Sequence, residues 1–308
     1  MSDETKFTYF ANVLWGLRRY DVTEFSGEDA FLDEVVRSAF RKRKNQSKAD
    51  MSRIETLLRN SWRTEVAARW PHEASDPNLC RVFSHTLAMH IYYSIFNLAR
   101  ALTFAEGSPA SKHDGVHKDF RMNRRPRAVG SWSFASTGDP DKRETVKLVP
   151  GDLEIVAGSG LSPSLPPFDY VSLGLLTARN LHWDFKKDAF TKEEGVKRLA
   201  GRRRGVLLSR IPESTLMDLL FHLRRRANYE EINEYDSQVD DQIISRFYEG
   251  LVHVGNSGLL HYESMLAGVI GVPSYTDMVE RWLTSTRLSR AVSTPALADR
   301  LERIQRLC

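Results

Sequence analysis

The stretch from residue 223 to 229 holds the side chains of this chain that are best suited to chemistry. It reads Leu-Arg-Arg-Arg-Ala-Asn-Tyr, so Arg224 and Asn228 are four residues apart, as are Arg225 and Tyr229. Side chains at that spacing share one face of an α-helix. A guanidinium next to an amide can hold a phosphate and donate to a base or ribose hydroxyl, and a tyrosine ring can stack on a base. The stretch therefore predicts a contact with nucleic acid or nucleotide, with a solvated polar helix face as the alternative.

Two helices must position these side chains. One is predicted from Pro212, in a first turn where proline is tolerated, to Tyr229. Its apolar stripe consists of Leu216, Leu219, Leu220, Leu223 and Ala227. The other is predicted over residues 79–106 and ends at Gly107 and Pro109. Because it is apolar on most of its circumference, we expect it to be a central helix.

Both helices contain segments that resemble the HEPN family of helical bundles. The run from Tyr92 to Leu102, YYSIFNLARAL, with KHDGV at 112–116 and Phe120, is similar to the first helix pair of that family. The stretch 223–229 is similar to the Leu-Arg-x-x-Ala-Asp-Tyr segment of the later family helix. The resemblance extends over roughly residues 80–120 and 212–268.

The resemblance implies a bundle that dimerises and, in many family members, cleaves RNA without a metal ion in toxin, antiviral or RNA-processing systems. Those nucleases place a histidine a few residues after their arginine. Arg224 matches the arginine, whereas Asn228 and Tyr229 stand where the histidine is expected. RNA cleavage needs a group that accepts the proton of a 2′-hydroxyl near neutral pH. His113 and His117 are therefore the candidates for proton transfer, with Arg224 and Asn228 on the phosphate and Tyr229 stacking or donating a proton.

Arginine runs are a second sign of an anionic ligand. Positive patches attract phosphate backbones without reading their sequence. The predicted nucleic-acid contacts are Arg225, Arg226, Arg202, Arg203 and Arg204. The last three belong to a predicted connector over 197–204, for which a solvated loop is the alternative.

Composition and periodicity predict a mainly α fold. The chain has 308 residues, 41% of them hydrophobic and 27% charged, which is the balance of a globular protein. Amphipathic spacing predicts further helices over 28–45, 50–69 (ended by Pro71), 170–187, 192–199, 237–266 and 295–307. We expect an N-terminal helical extension over 1–75 and a HEPN-like helical domain over 76–308. Glycine and proline collect over 108–168, an insertion predicted to contain a small β element, with strands near 131–135, 145–149 and 153–156.

Other classes of site are not predicted. Cys80 and Cys308 are far apart and form no paired motif, so neither a disulfide nor a zinc site is expected. His113 and His117 are four residues apart, but Gly115 between them weakens the helix that a metal-binding pair needs. We therefore expect no metal and no cofactor. No apolar run approaches roughly 20 residues and no signal pattern begins the sequence, which predicts a cytoplasmic protein without membrane contact.

Three functions follow as hypotheses. The first is an RNA-binding, HEPN-like homodimer with endoribonuclease activity, working with a protein partner in a defence or toxin–antitoxin system. The second is a non-catalytic HEPN-type subunit that assembles a defence complex or senses a nucleotide. The third is a DNA-binding helical protein, which depends on the basic runs alone and predicts steeply salt-dependent duplex binding. The net charge of +4 is compatible with all three.

Overall fold

The chain folds mainly into helices, as predicted. A computed structural model describes residues 3–40, 50–73, 76–107, 112–142, 145–149, 167–196, 199–229, 239–285 and 294–308. The α-helices within these residues are α1 (Asp3–Glu24), α2 (Glu28–Phe40), α3 (Met51–Glu73), α4 (Pro77–Ala105), α5 (His113–Asp119), α6 (Pro167–Glu193), α7 (Gly201–Arg210), α8 (Leu216–Tyr229), α9 (Asp241–Ile270), α10 (Val272–Ser285) and α11 (Thr294–Leu307). In these ranges no helix has both the length and the apolar character needed to cross a bilayer.

The long helices α4 and α9 form the centre of the molecule. Asp76 is the N-cap of α4: its carboxylate accepts hydrogen bonds from two backbone N–H groups of the first turn, in which Pro77 is the first residue. Ile91 and Leu98, on the predicted apolar stripe, are buried because α3, α8 and α9 pack around α4. The prediction of a central helix over 79–106 is confirmed.

The helices of the predicted N-terminal extension share a hydrophobic core with the later helices. Leu14 of α1, Trp62 of α3 and Leu220 of α8 belong to one continuous cluster of buried side chains. α1 packs on α6 and α9, and α3 lies along α4. A domain boundary near residue 75 stays a prediction.

A three-stranded antiparallel sheet lies beside the helices. Its strands are β1 (Ala135–Thr137), β2 (Lys147–Val149) and β3 (Ser214–Thr215), with β1 in the middle. Ser136 pairs with Leu148 on one side and with Ser214 on the other. Two strands thus lie in the predicted insertion, and the strand predicted over 153–156 falls outside the described residues. β3 continues directly into α8, so the sheet determines where that helix begins.

Two predicted helix ends are wrong. α3 continues through Pro71 to Glu73, because its packing along α4 outweighs the single hydrogen bond that a proline removes so close to a helix end. α8 begins at Leu216 and not at Pro212, since β3 occupies the residues immediately before it. Proline therefore marks neither boundary.

The helix predicted over 192–199 is also wrong, and a helix stands where an arginine-rich connector was expected. α6 ends at Glu193 and residues 194–196 form a turn, after which α7 begins at Gly201. This arginine-rich segment is amphipathic: its residue Leu207 is buried in a small cluster with Trp183 of α6. This apolar contact orders the segment.

A buried ion cluster fastens α11 to the core. The fully buried Arg300 guanidinium donates to both Glu65 oxygens at 2.7 Å and to Glu263 Oε2 at 2.7 Å. Asn256 Oδ1 accepts from Arg300 at 3.0 Å and from Arg69 at 3.1 Å, and Arg69 Nε also donates to Glu65 at 2.8 Å. Two arginines therefore face two carboxylates, and each ion has the hydrogen bonds that a buried charge requires.

Candidate active site

A cavity of about 120 Å³ lies where α5, α6 and α8 meet. It is lined by His113, Asp114, His117, Arg121, His182, Phe185, Lys186, Arg210, Pro212, Asp218, Phe221 and His222. Four histidines therefore face one space, although they come from three helices. Two of them, His113 and His117, are the histidines predicted for proton transfer.

Four side chains form a continuous series of hydrogen bonds at this cavity. Asp218 Oδ1 lies 2.7 Å from His117 Nδ1, and His117 Nε2 lies 3.0 Å from the Tyr92 hydroxyl oxygen. That oxygen also lies 2.7 Å from His113 Nδ1. We call Asp218, His117, Tyr92 and His113 the hydrogen-bond chain. It links α8, α5 and α4, so the tertiary structure positions all four groups.

The Asp218 carboxylate sets the direction of each proton in the hydrogen-bond chain. Because it only accepts, His117 Nδ1 carries a proton, and when that is the imidazole's one proton, Nε2 is an acceptor. The Tyr92 hydroxyl donates to that nitrogen, and its oxygen accepts from the N–H at His113 Nδ1. These proton positions are assigned from the network of partners. His113 Nε2 keeps a lone pair, and no described residue hydrogen-bonds to it.

The first turn of α8 holds Asp218 in place. The backbone N–H of Thr215 donates to Asp218 Oδ2 at 2.8 Å, which is one of the two bonds of a capping box, and the Thr215 hydroxyl donates to the same oxygen at 2.8 Å. Arg121 donates to Oδ1 at 3.3 Å. Burial alone would raise the pKa of Asp218, but the hydrogen bond from His117 and the neighbouring His117, His182 and Arg121 side chains outweigh it and hold the pKa well below its ordinary value. Asp218 is therefore a carboxylate at neutral pH.

His113 is held as a neutral imidazole. Its half-buried ring stacks on Phe96, with 4.4 Å between the ring centroids. Burial, and then the positive charge of Arg224, lowers the pKa of His113 to about 4. At neutral pH the ring therefore carries no charge and can accept a proton at Nε2.

Arg224 packs against the same aromatic side chains from α8. Its guanidinium carbon lies 5.1 Å from the centroid of Phe221, 5.3 Å from that of Tyr93 and 5.6 Å from that of Tyr92. Nη1 donates to the Tyr93 hydroxyl at 2.5 Å. Arg224 is 8% exposed, and its Nε and Nη2 make no hydrogen bond to a described residue. Because Nε is buried, Nη2 is the donor left for a ligand, and a cation fixed by ring faces with such a donor is suited to an oxyanion.

The remaining predicted residues of α8 lie near different surfaces. The Arg225 guanidinium carbon is 4.1 Å from the ring centroid of Phe185, a wall of the cavity. The Arg226 guanidinium carbon is 5.2 Å from the ring centroid of Phe10, which belongs to α1. The side chains of Asn228 and Tyr229 lie outside the described part of the structure. α8 therefore brings Arg224 and Arg225 close to the cavity and Arg226 close to the core.

The predicted contacts on α7 differ from one another in their surroundings. Arg204 donates to Asp139 and Asp141 and stacks over Trp183, with 4.7 Å between its guanidinium carbon and the ring centroid. Arg202 and Arg203 are exposed. The C-terminal end of α7 reaches the cavity, which Arg210 helps to line, but the role of α7 in binding nucleic acid stays a prediction.

Sequence reasoning did not single out four residues of this site. Asp218, His182 and His222 line the cavity, and the Tyr92 hydroxyl links the two predicted histidines. One signal existed, because Thr215 followed three residues later by Asp218 is a helix-start pattern. That pattern would have placed the start of α8 correctly and identified a buried carboxylate.

Comparison with known proteins adds no relative. No family model, curated protein or solved structure matches the chain. The resemblance to the HEPN family therefore depends on the two sequence segments alone. In the described part of the chain, no three side chains of histidine, cysteine, aspartate or glutamate are arranged to hold a metal ion.

Proposed function

We propose that this protein is an HEPN-like RNA-binding protein that cleaves RNA by metal-independent acid–base chemistry at the cavity between α5 and α8. The observation that carries this proposal is the hydrogen-bond chain from Asp218 to His113 beside the Arg224 guanidinium. A proton acceptor and a fixed cation next to each other are what cleavage at a 2′-hydroxyl requires.

The reaction needs one proton removed and one supplied. The 2′-oxygen attacks the adjacent phosphorus, and the bond from phosphorus to the 5′-oxygen breaks. His113 Nε2 accepts the 2′-hydroxyl proton, and Arg224 donates hydrogen bonds to the phosphoryl oxygens as their negative charge grows. Tyr229 keeps its predicted role of stacking on a base or donating the proton that the 5′-oxygen takes up. The products are a 2′,3′-cyclic phosphate and a 5′-hydroxyl.

The low pKa of His113 does not make it a useless base, because its partners share the proton. When Nε2 gains a proton, Nδ1 can pass its own proton to the Tyr92 oxygen while the Tyr92 hydroxyl passes its proton to His117. The positive charge then lies on His117, directly against the Asp218 carboxylate. The proton acceptor in the reaction is therefore the hydrogen-bond chain and not His113 alone.

Cleavage of RNA but not of DNA tests the proposal. Incubated with EDTA, the protein is expected to cut a single-stranded RNA oligonucleotide and to leave the DNA oligonucleotide of the same sequence intact, because only RNA has the 2′-hydroxyl. Mass spectrometry should identify 2′,3′-cyclic phosphate ends. If diverse RNAs all stay intact, whether the protein is a monomer or a homodimer under the conditions used, the nuclease proposal is overturned.

A second candidate function is a non-catalytic HEPN-type subunit that assembles a complex or senses a nucleotide. The hydrogen bond from Arg224 Nη1 to the Tyr93 hydroxyl favours this function, because a largely buried arginine with such a bond can stabilise the fold without contacting a substrate. This function predicts that nucleotide or RNA binds and stays intact. A stable complex with a protein partner would support it further.

The protonation of His113 is expected to respond to an anion in the cavity. In inorganic phosphate, which is monoanionic near pH 4 as a phosphodiester is, the pKa of His113 should rise from about 4 by roughly one unit, since a bound anion offsets nearby positive charge. NMR titration of the ring Cε1–H signal measures this, with His113→Gln for assignment. His261, whose pKa burial lowers to about 3, does not line the cavity and is the internal control. Identical His113 pKa values in phosphate and in chloride of equal ionic strength would contradict an anion site here.

A further inference from the structure

Two cavity histidines take no part in the hydrogen-bond chain. His222 is 4% exposed and lines the cavity, and no described residue hydrogen-bonds to its side chain. His182 is 6% exposed, and only its Nδ1 has a partner among the described residues, the Ser214 hydroxyl at 3.3 Å. Buried polar groups are normally satisfied. Two imidazoles with unused hydrogen-bonding nitrogens, directed at one cavity, therefore point to a ligand that satisfies them.

Both histidines are neutral at physiological pH. Burial lowers the pKa of His182 to about 4, although the charge of Asp218 opposes this effect. Burial also lowers the pKa of His222 to about 3, and the neighbouring His182 adds to the lowering. A neutral imidazole offers one N–H donor and one nitrogen acceptor. The pair therefore presents donors and acceptors without charge, which is the pattern that complements the edge of a nucleobase.

Aromatic side chains form walls of the cavity beside His222. The ring centroid of His222 lies 5.3 Å from that of Phe221 and 6.1 Å from that of Phe185, and both phenylalanines line the cavity. Stacking on aromatic faces is how proteins commonly hold an unpaired base. The volume of about 120 Å³ suits one six-membered ring, since an apolar cavity of about 150 Å³ holds a benzene molecule.

Cationic side chains stand at the same cavity. Lys186, Arg210 and Arg121 all line it. The Lys186 ammonium lies 5.5 Å from the Phe185 ring centroid, and the Arg210 guanidinium carbon lies 5.2 Å from that of Phe190. Ring walls with positive charge around them match a nucleotide, whose base is flat and whose phosphate is anionic.

We infer that the part of the cavity formed by His182, His222 and Phe185 is a nucleobase subsite that selects a pyrimidine nucleotide. This inference rests on the proposed function, because the base it holds belongs to the nucleotide of an RNA substrate next to the reacting phosphate. His222 and His182 contact the base edge, and Phe185 and Phe221 contact its faces.

Binding of mononucleotides tests the subsite without any cleavage. In isothermal titration calorimetry, 3′-UMP is expected to bind at least roughly tenfold more tightly than ribose 5-phosphate, which has no base, and more tightly than 3′-GMP. His222→Phe should weaken 3′-UMP binding roughly tenfold, because it keeps the ring but removes both nitrogens. His222→Gln, which keeps one donor and one acceptor, should retain most of the affinity.

The unfolding temperature of His222→Phe shows whether weaker binding reflects a lost subsite or a damaged fold. Phenylalanine at position 222 keeps a ring among the aromatic walls of the cavity and introduces no polar group without a partner, so His222→Phe should unfold close to the parent temperature. Equal affinity for ribose 5-phosphate and 3′-UMP, or unchanged 3′-UMP binding by His222→Phe, would overturn the subsite even if RNA is cleaved. Tighter binding of 3′-GMP would overturn the choice of a pyrimidine. Selective 3′-UMP binding without RNA cleavage would support the subsite while the nuclease proposal fails.

Discussion

Arg224→Ala is expected to lower the rate of RNA cleavage by about 10²–10³-fold at saturating RNA, the effect of removing one fixed donor from a developing oxyanion. The Arg224 guanidinium is held by the ring faces of Tyr92, Tyr93 and Phe221 and by the hydrogen bond to Tyr93, so it needs no reorganisation when charge develops on the phosphate. Single-turnover measurements with a labelled RNA report the chemical step.

Two further variants make this prediction specific. Arg224→Met keeps the unbranched stem among the aromatic rings but removes the charge, and it should be as inactive as the alanine variant while disturbing packing less. Arg226→Ala removes a cation from the same helix whose guanidinium lies over Phe10, away from the cavity. It should weaken RNA binding and keep the single-turnover rate. Parent-like cleavage by Arg224→Met would show that Arg224 has no part in the reaction.

The helical fold was largely predictable because local apolar spacing and helix ends determine it. The segment over 79–106 is apolar on most faces, and only a central position buries all of them. The helix predictions are wrong where tertiary contacts outweigh the local sequence pattern. Pro71 lies inside α3, and the arginine-rich stretch around Leu207 is helical because Leu207 packs on α6. Neither contact is visible in a local pattern.

The sequence named three residues of the candidate site but neither their connections nor the buried carboxylate that directs them. His113, His117 and Arg224 were predicted one at a time, and the structure brings them around the same aromatic side chains. Asp218 lies 101 positions after His117, and only the packing of α8 beside α4 and α5 brings the two together. The direction of the protons follows from that carboxylate. Local sequence patterns contain no sign of a pairing across that distance.

Arg300→Met is expected to lower the free energy of unfolding by about 3–5 kcal/mol, the cost of leaving buried charges unpaired. Glu65 and Glu263 are both buried and both face the Arg300 guanidinium. Methionine fills similar space but offers no donor, so the two carboxylates lose their main partner. Urea unfolding followed by circular dichroism measures the change, and the unfolding temperature should drop by roughly 5–15 °C.

Position within the same helix provides the control. Arg306, six residues later on α11, is exposed and pairs with Asp33, so Arg306→Met should cost no more than about 1 kcal/mol. Similar losses for the two variants would show that burial of the Arg300 cluster contributes little.

The pH dependence of the Arg300 variant distinguishes an unpaired carboxylate from a packing defect. In the parent, burial would raise the pKa of Glu65, but the charge of Arg300 outweighs burial and lowers that pKa to about 2. The parent therefore gains stability from Glu65 above pH 4.5 and loses it as the pH falls towards 2. In Arg300→Met only Arg69 still opposes burial, so the pKa of Glu65 rises from its parent value and the variant loses most of that gain. The gap in unfolding temperature between parent and variant should consequently narrow from pH 7 to pH 4, whereas a cavity or a misfit side chain would give a gap independent of pH.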